Sequence, residues 1–286
     1  MKFKTLIFTT WLVLGSASHA ELLWSPKADI WDKKLSPTEH EHNNGHTMQH
    51  GRNREKSFYL LGADQARVNF IAPDLSSHPI KEQPDNKFIL PDTGMDNYHA
   101  LIAGQVKENT IESTLRYVYM RGKPSGVSPN KLIKNPKLTL EIIPDPMVRE
   151  HWRYYSQNKH AFIINYKQQP LKDSWVVMQT SNGTTLDGKT DNNGRVVFTI
   201  PDDFKNIKAG RRANQPAEFI VRTTHIDNNT TYRSNFTAPY NVNPSHWQSN
   251  SGGILALSLG FISGLVIMRR HNKKQISSKH SARKSS

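Results

Sequence analysis

The chain has no cysteine. No disulfide can form, and no thiolate site for zinc or an iron–sulfur cluster exists. An oxidising compartment permits disulfides without requiring them, so export is compatible with this composition. Any bound metal must be held by imidazole, thioether, carboxylate or backbone groups. Acidic residues are also scarce, 24 against 38 Lys and Arg, for a formal net charge of +14 over 286 residues. Catalytic signatures are missing as well. There is no Gly-x-Ser-x-Gly elbow, no His-Glu-x-x-His and no phosphate-binding glycine loop. Glu141, Asp145 and Asp173 are not spaced as an acid/base pair. The central stretch shows no long amphipathic helical pattern, so the expectation is a non-enzymatic β protein.

The two ends carry the apolar runs. Met1-Lys2-Phe3-Lys4 precedes the run Thr5 to Leu14 and the small-residue stretch Gly15 to Ala20. This is the basic, apolar and small-residue order of a signal peptide, and the run is too short to span a bilayer. Cleavage fits after Ala20, leaving Glu21 first, or after Ser18, leaving His19 first; alanine suits the −1 position better. A free amino group beside His19 would form a tight copper chelate. At the other end, residues 252–268 carry no charge, and Arg269, Arg270, Lys273, Lys274, Lys279, Arg283 and Lys284 follow with no acidic residue. That is the pattern of one short transmembrane helix with a cytoplasmic basic tail and an outward-facing body. Part of the net charge is thus a topology signal, and nucleic acid is not an expected partner. Gly252, Ala256, Gly260 and Gly264 recur every four residues, which would let another helix approach closely and self-associate.

Between the ends the texture is that of strands. Leu22-Leu23-Trp24 suits a short strand, and Ser36 to Arg54 is polar and loop-like. Short runs rich in Val, Ile, Phe, Tyr and Thr predict strands at Ser57–Leu61, Arg67–Ile71, Tyr98–Val106, Ser113–Tyr119, Thr139–Ile143, Ala161–Tyr166, Ser174–Thr180, Arg195–Ile200 and Ala217–Thr224. Thr190-Asp191-x-x-Gly194 reads as a tight turn. Asp191 can accept from forward amides, Gly194 supplies a positive φ, and Val196 and Phe198 then share one face. The organisation expected is 1–20 signal peptide, 21–56 His-rich segment, 57–136 first β region, 137–240 β-sandwich module, 252–268 membrane helix and 269–286 basic tail.

The stretch Phe162 to Ile200, with its strand, x-x-Pro-Leu171, strand and Thr190-Asp191-x-x-Gly194-x-x-x-Phe198, resembles the immunoglobulin- or prealbumin-like modules of exported bacterial proteins. With Leu22-Leu23-Trp24-Ser25-Pro26, Leu140-Glu141-Ile142-Ile143-Pro144 and Arg222-Thr-Thr-His225, the chain looks like the DUF4198 family, once labelled a nickel/cobalt transport periplasmic component. The resemblance covers roughly residues 20 to 240. It implies an all-β immunoglobulin/prealbumin-like sandwich fold, a periplasmic body with a membrane anchor, and nickel or cobalt as the metal.

The strongest chemical signal is His40-Glu-His42-Asn-Asn-Gly-His46-Thr-Met48-Gln-His50, four imidazoles and a thioether within eleven residues. Imidazole suits Cu, Ni, Zn and Co, and thioether adds affinity for Cu(I). Gly45 and its two asparagines allow the loop to bend several rings to one ion. His40, His42, His46 and His50, with Met48, are the expected metal ligands. The same segment also reads as a solvated linker that binds metal only incidentally. His99 and His225 read as satisfied strand-edge or core residues rather than ligands. His151 to Tyr155 with His160 is a basic aromatic cluster suited to packing or to a partner. Trp247 suits an interfacial anchor. Asn182-Gly-Thr184 and Asn229-Thr-Thr231 match the glycosylation pattern, which matters only in a eukaryotic secretory route.

Together these residues imply a single-pass inner-membrane protein. It captures a transition metal (Ni, Co or Cu) outside the cytoplasm for a membrane transporter or permease. The alternative is an envelope protein–protein interaction module without metal. Mass spectrometry of the mature chain should find Glu21 at the N-terminus; His19 there would point to copper.

Overall fold

The computed structural model describes residues 21–31, 56–148, 153–248, 254–255 and 257–269. In chain order the first strands are β1 (Leu23–Ser25), β2 (Ser57–Leu61), β3 (Arg67–Ile71), β4 (Ser77–Pro79), β5 (Glu82–Gln83) and β6 (Lys87–Ile89). A long hairpin follows, β7 (Met95–Lys107) and β8 (Thr110–Met120), then β9 (Lys123–Pro124) and the short helix α1 (Pro129–Lys134). The remainder is β10 (Leu140–Asp145), β11 (Tyr154–Tyr155), β12 (Lys159–Tyr166), β13 (Gln169–Pro170), β14 (Trp175–Thr180) and β15 (Thr185–Lys189). It ends with β16 (Arg195–Thr199), β17 (Ala217–Asp227) and β18 (Thr230–Asn241). The chain divides into two compact units, residues 1–203 with 217–240, and residues 204–216 with 241–286.

Among the described residues the first unit holds three sheets. One large sheet runs β15-β14-β17-β18-β8-β7-β3-β4. A sheet of β10, β12, β13 and β16, with β12 at its centre, belongs to the second half of the chain. Its inward side chains meet those of β17 and β18: Phe162 lies 6.2 Å from Phe219 and 5.7 Å from Phe236 between ring centroids. This is a two-layer β-sandwich with an aromatic core. The third sheet, β1-β2-β6-β5, belongs to the first half. Its Leu22, Trp24, Phe58, Leu60 and Phe88 form one buried cluster with Phe70, Leu101 and Val118 of the large sheet.

Local chemistry explains the turns. Asp191 Oδ1 accepts from the amides of Asn193 and Arg195, each at 2.9 Å. Gly194 has φ +69°, and a Cβ there would sit 2.6 Å from the Ile164 carbonyl oxygen. Glycine is therefore required twice over, by conformation and by space. On β16 Val196 and Phe198 are buried while Arg195, Val197 and Thr199 face out. The β17–β18 hairpin turns through Asn228 (φ 46°) and Asn229 (φ 64°) between Asp227 and Thr230, where asparagine tolerates left-handed backbone best after glycine.

Several strands of the large sheet are not revealed by regular patterning, β15 and β18 among them. β15 is short and exposed, and β18 reads Thr-Thr-Tyr-Arg-Ser-Asn-Phe-Thr-Ala-Pro-Tyr-Asn. Its Ser234, Asn235 and Thr237 are buried. β18 pairs antiparallel with β17 and parallel with β8, Thr231 to Phe236 against Thr110 to Leu115. That parallel contact joins the stretches 57–136 and 137–240 into one sheet.

A buried ion pair spans the join. Arg116 of β8 donates to Glu218 of β17 through Nη1 (2.6 Å) and Nη2 (3.0 Å), and Nη1 lies 3.3 Å from Thr237 Oγ1 of β18. Both side chains are about 5% exposed. The guanidinium also stands 4.8 Å from the centroid of the Phe58 ring of β2. Elsewhere, the Lys137 ammonium caps α1. It donates to the carbonyls of Leu132, Ile133 and Asn135 and pairs with Glu141 at 2.7 Å. The residues after Lys134 therefore stay attached to the sandwich.

In the second unit, residues 254–255 and 257–269 are helical and expose their apolar side chains, Leu257 by 77% and Phe261 by 71%. Among the described residues no helix is long and apolar enough to cross a membrane.

Removing one member of the buried pair leaves a charge without its partner, which costs about 3–5 kcal/mol, whereas replacing both by apolar groups is often near neutral. Glu218→Gln should therefore lower unfolding stability by about that amount, and Arg116→Met with Glu218→Leu should lose much less. Urea-unfolding midpoints of the three proteins check this.

Candidate functional site

His40, His42, His46, Met48 and His50 all lie outside the described residues. The described part is the base on which they hang. β1 and β2 pair antiparallel, Leu23 with Leu61, Trp24 with Leu60 and Ser25 with Tyr59. The connecting segment therefore leaves and re-enters at the same end of this ladder, whose last pair is Ser25 and Tyr59. Both ends are anchored. Trp24 is fully buried with its ring 5.5 Å from that of Phe88. Lys56 donates from Nζ to the Tyr119 carbonyl, and its own carbonyl accepts from Leu90 N at 2.8 Å. Burial, with Arg121 nearby, lowers the Lys56 pKa. Among the described residues no group of three or more His, Asp or Glu side chains could hold a metal ion.

The other histidines serve the scaffold. His99 is fully buried and stacks on Phe70 at 4.9 Å. Its Nδ1 lies 3.1 Å from the Asn97 carbonyl and its Nε2 2.6 Å from Thr93 Oγ1. The carbonyl requires Nδ1–H, so Nε2 accepts from the threonine hydroxyl. Burial holds this imidazole down to about 4, and it stays neutral. His160 packs 4.7 Å from the Tyr154 ring, and burial lowers its pKa too. His225 lies 4.3 Å from the ring of Tyr166. Tyr166 donates to Asp227 at 2.7 Å, and Lys167 donates to the same oxygen at 2.8 Å. These bonds tie the β12–β13 turn, where Lys167 and Gln168 have φ 49° and 67°, to the end of β17. His151 and Trp152 lie outside the described residues.

One grouping has the residue types of a nucleophilic site. Ser76 Oγ lies 2.6 Å from Asp74 Oδ1 and 3.1 Å from His78 Nε2. An activated serine needs the imidazole as proton acceptor and the carboxylate behind the imidazole. Here the carboxylate faces the serine itself and also accepts from Ser76 N, which is the geometry of a locked turn. The two glycosylation patterns named above also separate. Asn182 Nδ2 is occupied by Asp203 (3.1 Å) and Tyr240 (3.0 Å), while Asn229 sits exposed at a hairpin tip.

Two open clefts mark the surface of the first unit. One, of about 550 Å³, lies between α1 and the outer face of β10 and β12, with Ile133, Ile143, Ile163 and Asn165 among its walls. Ile143 pairs with Ile163 and Glu141 with Asn165, so these side chains share the face turned away from the sandwich core. The other, of about 540 Å³, sits over the β7–β8 end of the join, with Arg67, Gly104, Val106 and Leu138 among its walls. Composition and spacing contain no signal for either, because their walls come from strands far apart in sequence.

No family model and no curated protein matches the chain. Among solved structures it is similar to a calcium-stabilised adhesin with which an Antarctic bacterium binds ice, at 11% identity over 65% of this chain and 43% of that one, with a TM-score of 0.25. It is also similar to a two-domain fibronectin type III segment of chicken tenascin, at 12% identity over 65% of this chain and 90% of that one, TM-score 0.21. A third is the D00–D0 segment of intimin, at 11% identity over 65% and 92%, TM-score 0.22. The chain spans less than half of the adhesin structure's length. Scores of this size carry no argument about family, partner or activity.

Below pH 6.5 the unfolded chain takes up a proton at residue 99 that the folded chain refuses. Stability present above pH 6.5 should therefore be lost as pH falls towards 4, with His160 acting in the same direction. His99→Gln keeps hydrogen-bonding capacity and does not titrate. Its melting temperature should fall less between pH 7.5 and 4.5 than that of the unaltered protein. Equal falls would place the acid sensitivity elsewhere.

Proposed function

We propose that the chain is a membrane-anchored metal-collecting protein whose β body faces outward from the inner membrane, into the periplasm. Its His40–His50 segment captures or buffers Cu, Ni or Co for a neighbouring membrane transporter or permease. The observation that carries this reading is the density of donors, four imidazoles and a thioether in eleven residues, in the connection between β1 and β2, which pair with each other. Closing the base in advance reduces the conformational freedom that chelation would otherwise have to remove. Copper(II) is favoured by the Irving–Williams order, and nickel or cobalt by the resemblance stated above.

The anchor in this reading is the uncharged run 252–268, followed at once by Arg269 and Arg270. Apolar exposure all round its helix suits lipid rather than water. Its hydroxyls are satisfied within the helix, Ser258 to the Ile254 carbonyl at 2.8 Å and Ser263 to the Leu259 carbonyl at 2.6 Å, as a hydrocarbon setting demands. Gly260 and Gly264 leave open space where a second helix, from the permease or another copy, could approach. Tethering raises the effective concentration of the loop at a partner's entrance.

One feature favours the alternative, an envelope interaction module without metal. Trp175 is 62% exposed on β14, with Lys189 Nζ 5.9 Å from its ring centroid, and exposed tryptophan is the residue type most enriched at binding hot spots. Partner capture that ignores a chelator would support that module.

Titration calorimetry of the full chain in detergent with Cu(II) and Ni(II) at pH 7.5 tests the first reading. Replacing His40, His42, His46 and His50 by alanine should remove most of the binding. Binding should also weaken below roughly pH 6 as protons compete for the rings. Equal affinity in the quadruple variant would defeat the reading.

A further inference from the structure

Not every glycine here is required by the fold. A Cβ on Gly122 would meet the Gly94 carbonyl oxygen at 2.3 Å, and one on Gly188 would meet Val196 at 3.0 Å. Gly104 differs. It lies inside β7 with no positive φ, and a Cβ there meets only the Glu112 carbonyl oxygen at 3.6 Å, an ordinary contact. Glycine inside a strand weakens it and often marks close approach of something outside the strand. At this position the missing side chain leaves a hollow, and the hollow is the floor of the cleft of about 540 Å³.

Strand register gives the cleft two rows. Arg67, Gly104 and Ser113 lie side by side across three strands. Two residues along, Val106, Ile111 and Tyr232 form the next row. Alternation puts both rows on the same face, about 7 Å apart. The first row is polar. Arg67 is exposed and has no ion-pair or hydrogen-bond partner among the described residues. The second row is largely apolar and includes Val106, 70% exposed. Leu138 and Leu140, held in place by the Lys137–Glu141 pair, close one side.

A cation without a partner beside a hollow floored by glycine and walled by branched side chains suits a carboxylate on an apolar body. The cleft is open on one side. It therefore holds one end of a longer molecule, where a free small molecule would need most of its surface enclosed.

We propose that this cleft takes the C-terminal residue of a partner polypeptide. The terminal carboxylate pairs with Arg67, and the terminal apolar side chain rests over Gly104 between Val106, Ile111 and Leu138. The metal-collecting reading is not needed for this site.

The test uses the full chain in detergent and a fluorescein-labelled hexapeptide ending in Ala-Phe-Leu with a free carboxylate, followed by anisotropy. Saturable binding is expected, weakened about tenfold or more when the peptide ends in an amide and likewise in Arg67→Gln, as loss of a charge-assisted pair requires. Gly104→Val should fill the hollow and abolish binding while the melting temperature holds, and Arg67→Gln, an exposed change, keeps the test valid if the valine variant does not fold. No binding at millimolar chain would overturn the proposal. So would equal binding of acid and amide, binding undiminished in a folded Gly104→Val, or binding of octanoate without the peptide.

Discussion

A single guanidinium ties the two halves of this body together. Arg116 sits on the long hairpin of the first half, and its fork closes on Glu218 of the second half, across the strand that carries Thr237. Its flat face covers Phe58 of the N-terminal sheet. Four strands from two sheets thus converge on one charge. A buried ion pair is a weak source of net stability, because desolvation offsets much of the attraction. Its contribution is register. The fork accepts one alignment of β8 against β17, and a slip of one residue in either strand would turn its charge to the opposite face and break the pair.

That constraint explains why the interior at the join is polar. Thr114, Ser234, Asn235 and Thr237 are all buried there. Asn235 Nδ2 donates to the Leu22 carbonyl at 2.8 Å, and Arg222 pairs with Glu21 at 2.9 Å. These two contacts bind the start of the described chain to β17 and β18, and the β1–β2 ladder continues from there to the base of the histidine segment. A loop meant to gather several side chains round one ion gains from such a base, since the position of its ends no longer varies. Rigidity at the join and donor density in the loop are therefore two parts of one proposed device.

Much of the fold was legible because it follows from local chemistry. Ser57–Leu61 and Arg67–Ile71 coincide with observed strands, since branched and aromatic residues suit a pleated, half-buried surface. The Asp191–Gly194 turn was readable from two residues, one acceptor side chain and one glycine. β18 was not, because Ser234, Asn235 and Thr237 look like loop residues until a neighbouring strand supplies their bonds and burial. The candidate site divides in the same way. The histidine cluster stands out as composition alone. The hollow over Gly104 exists only because Arg67, Gly104 and Ser113 come to lie side by side from three strands.

The amino-acid order by itself determined the β texture, the tight turns, the absence of any thiolate chemistry and the concentration of imidazoles between residues 40 and 50. All of these rest on neighbours a few residues apart. Tertiary structure alone decided that β18 runs parallel to β8, that Arg116 meets Glu218, and that His99 is held neutral against Phe70 and Thr93. The physical reason is range. Propensity and turn geometry act within one element, whereas desolvation, ion pairing and the shape of a cleft depend on which distant strands are brought side by side.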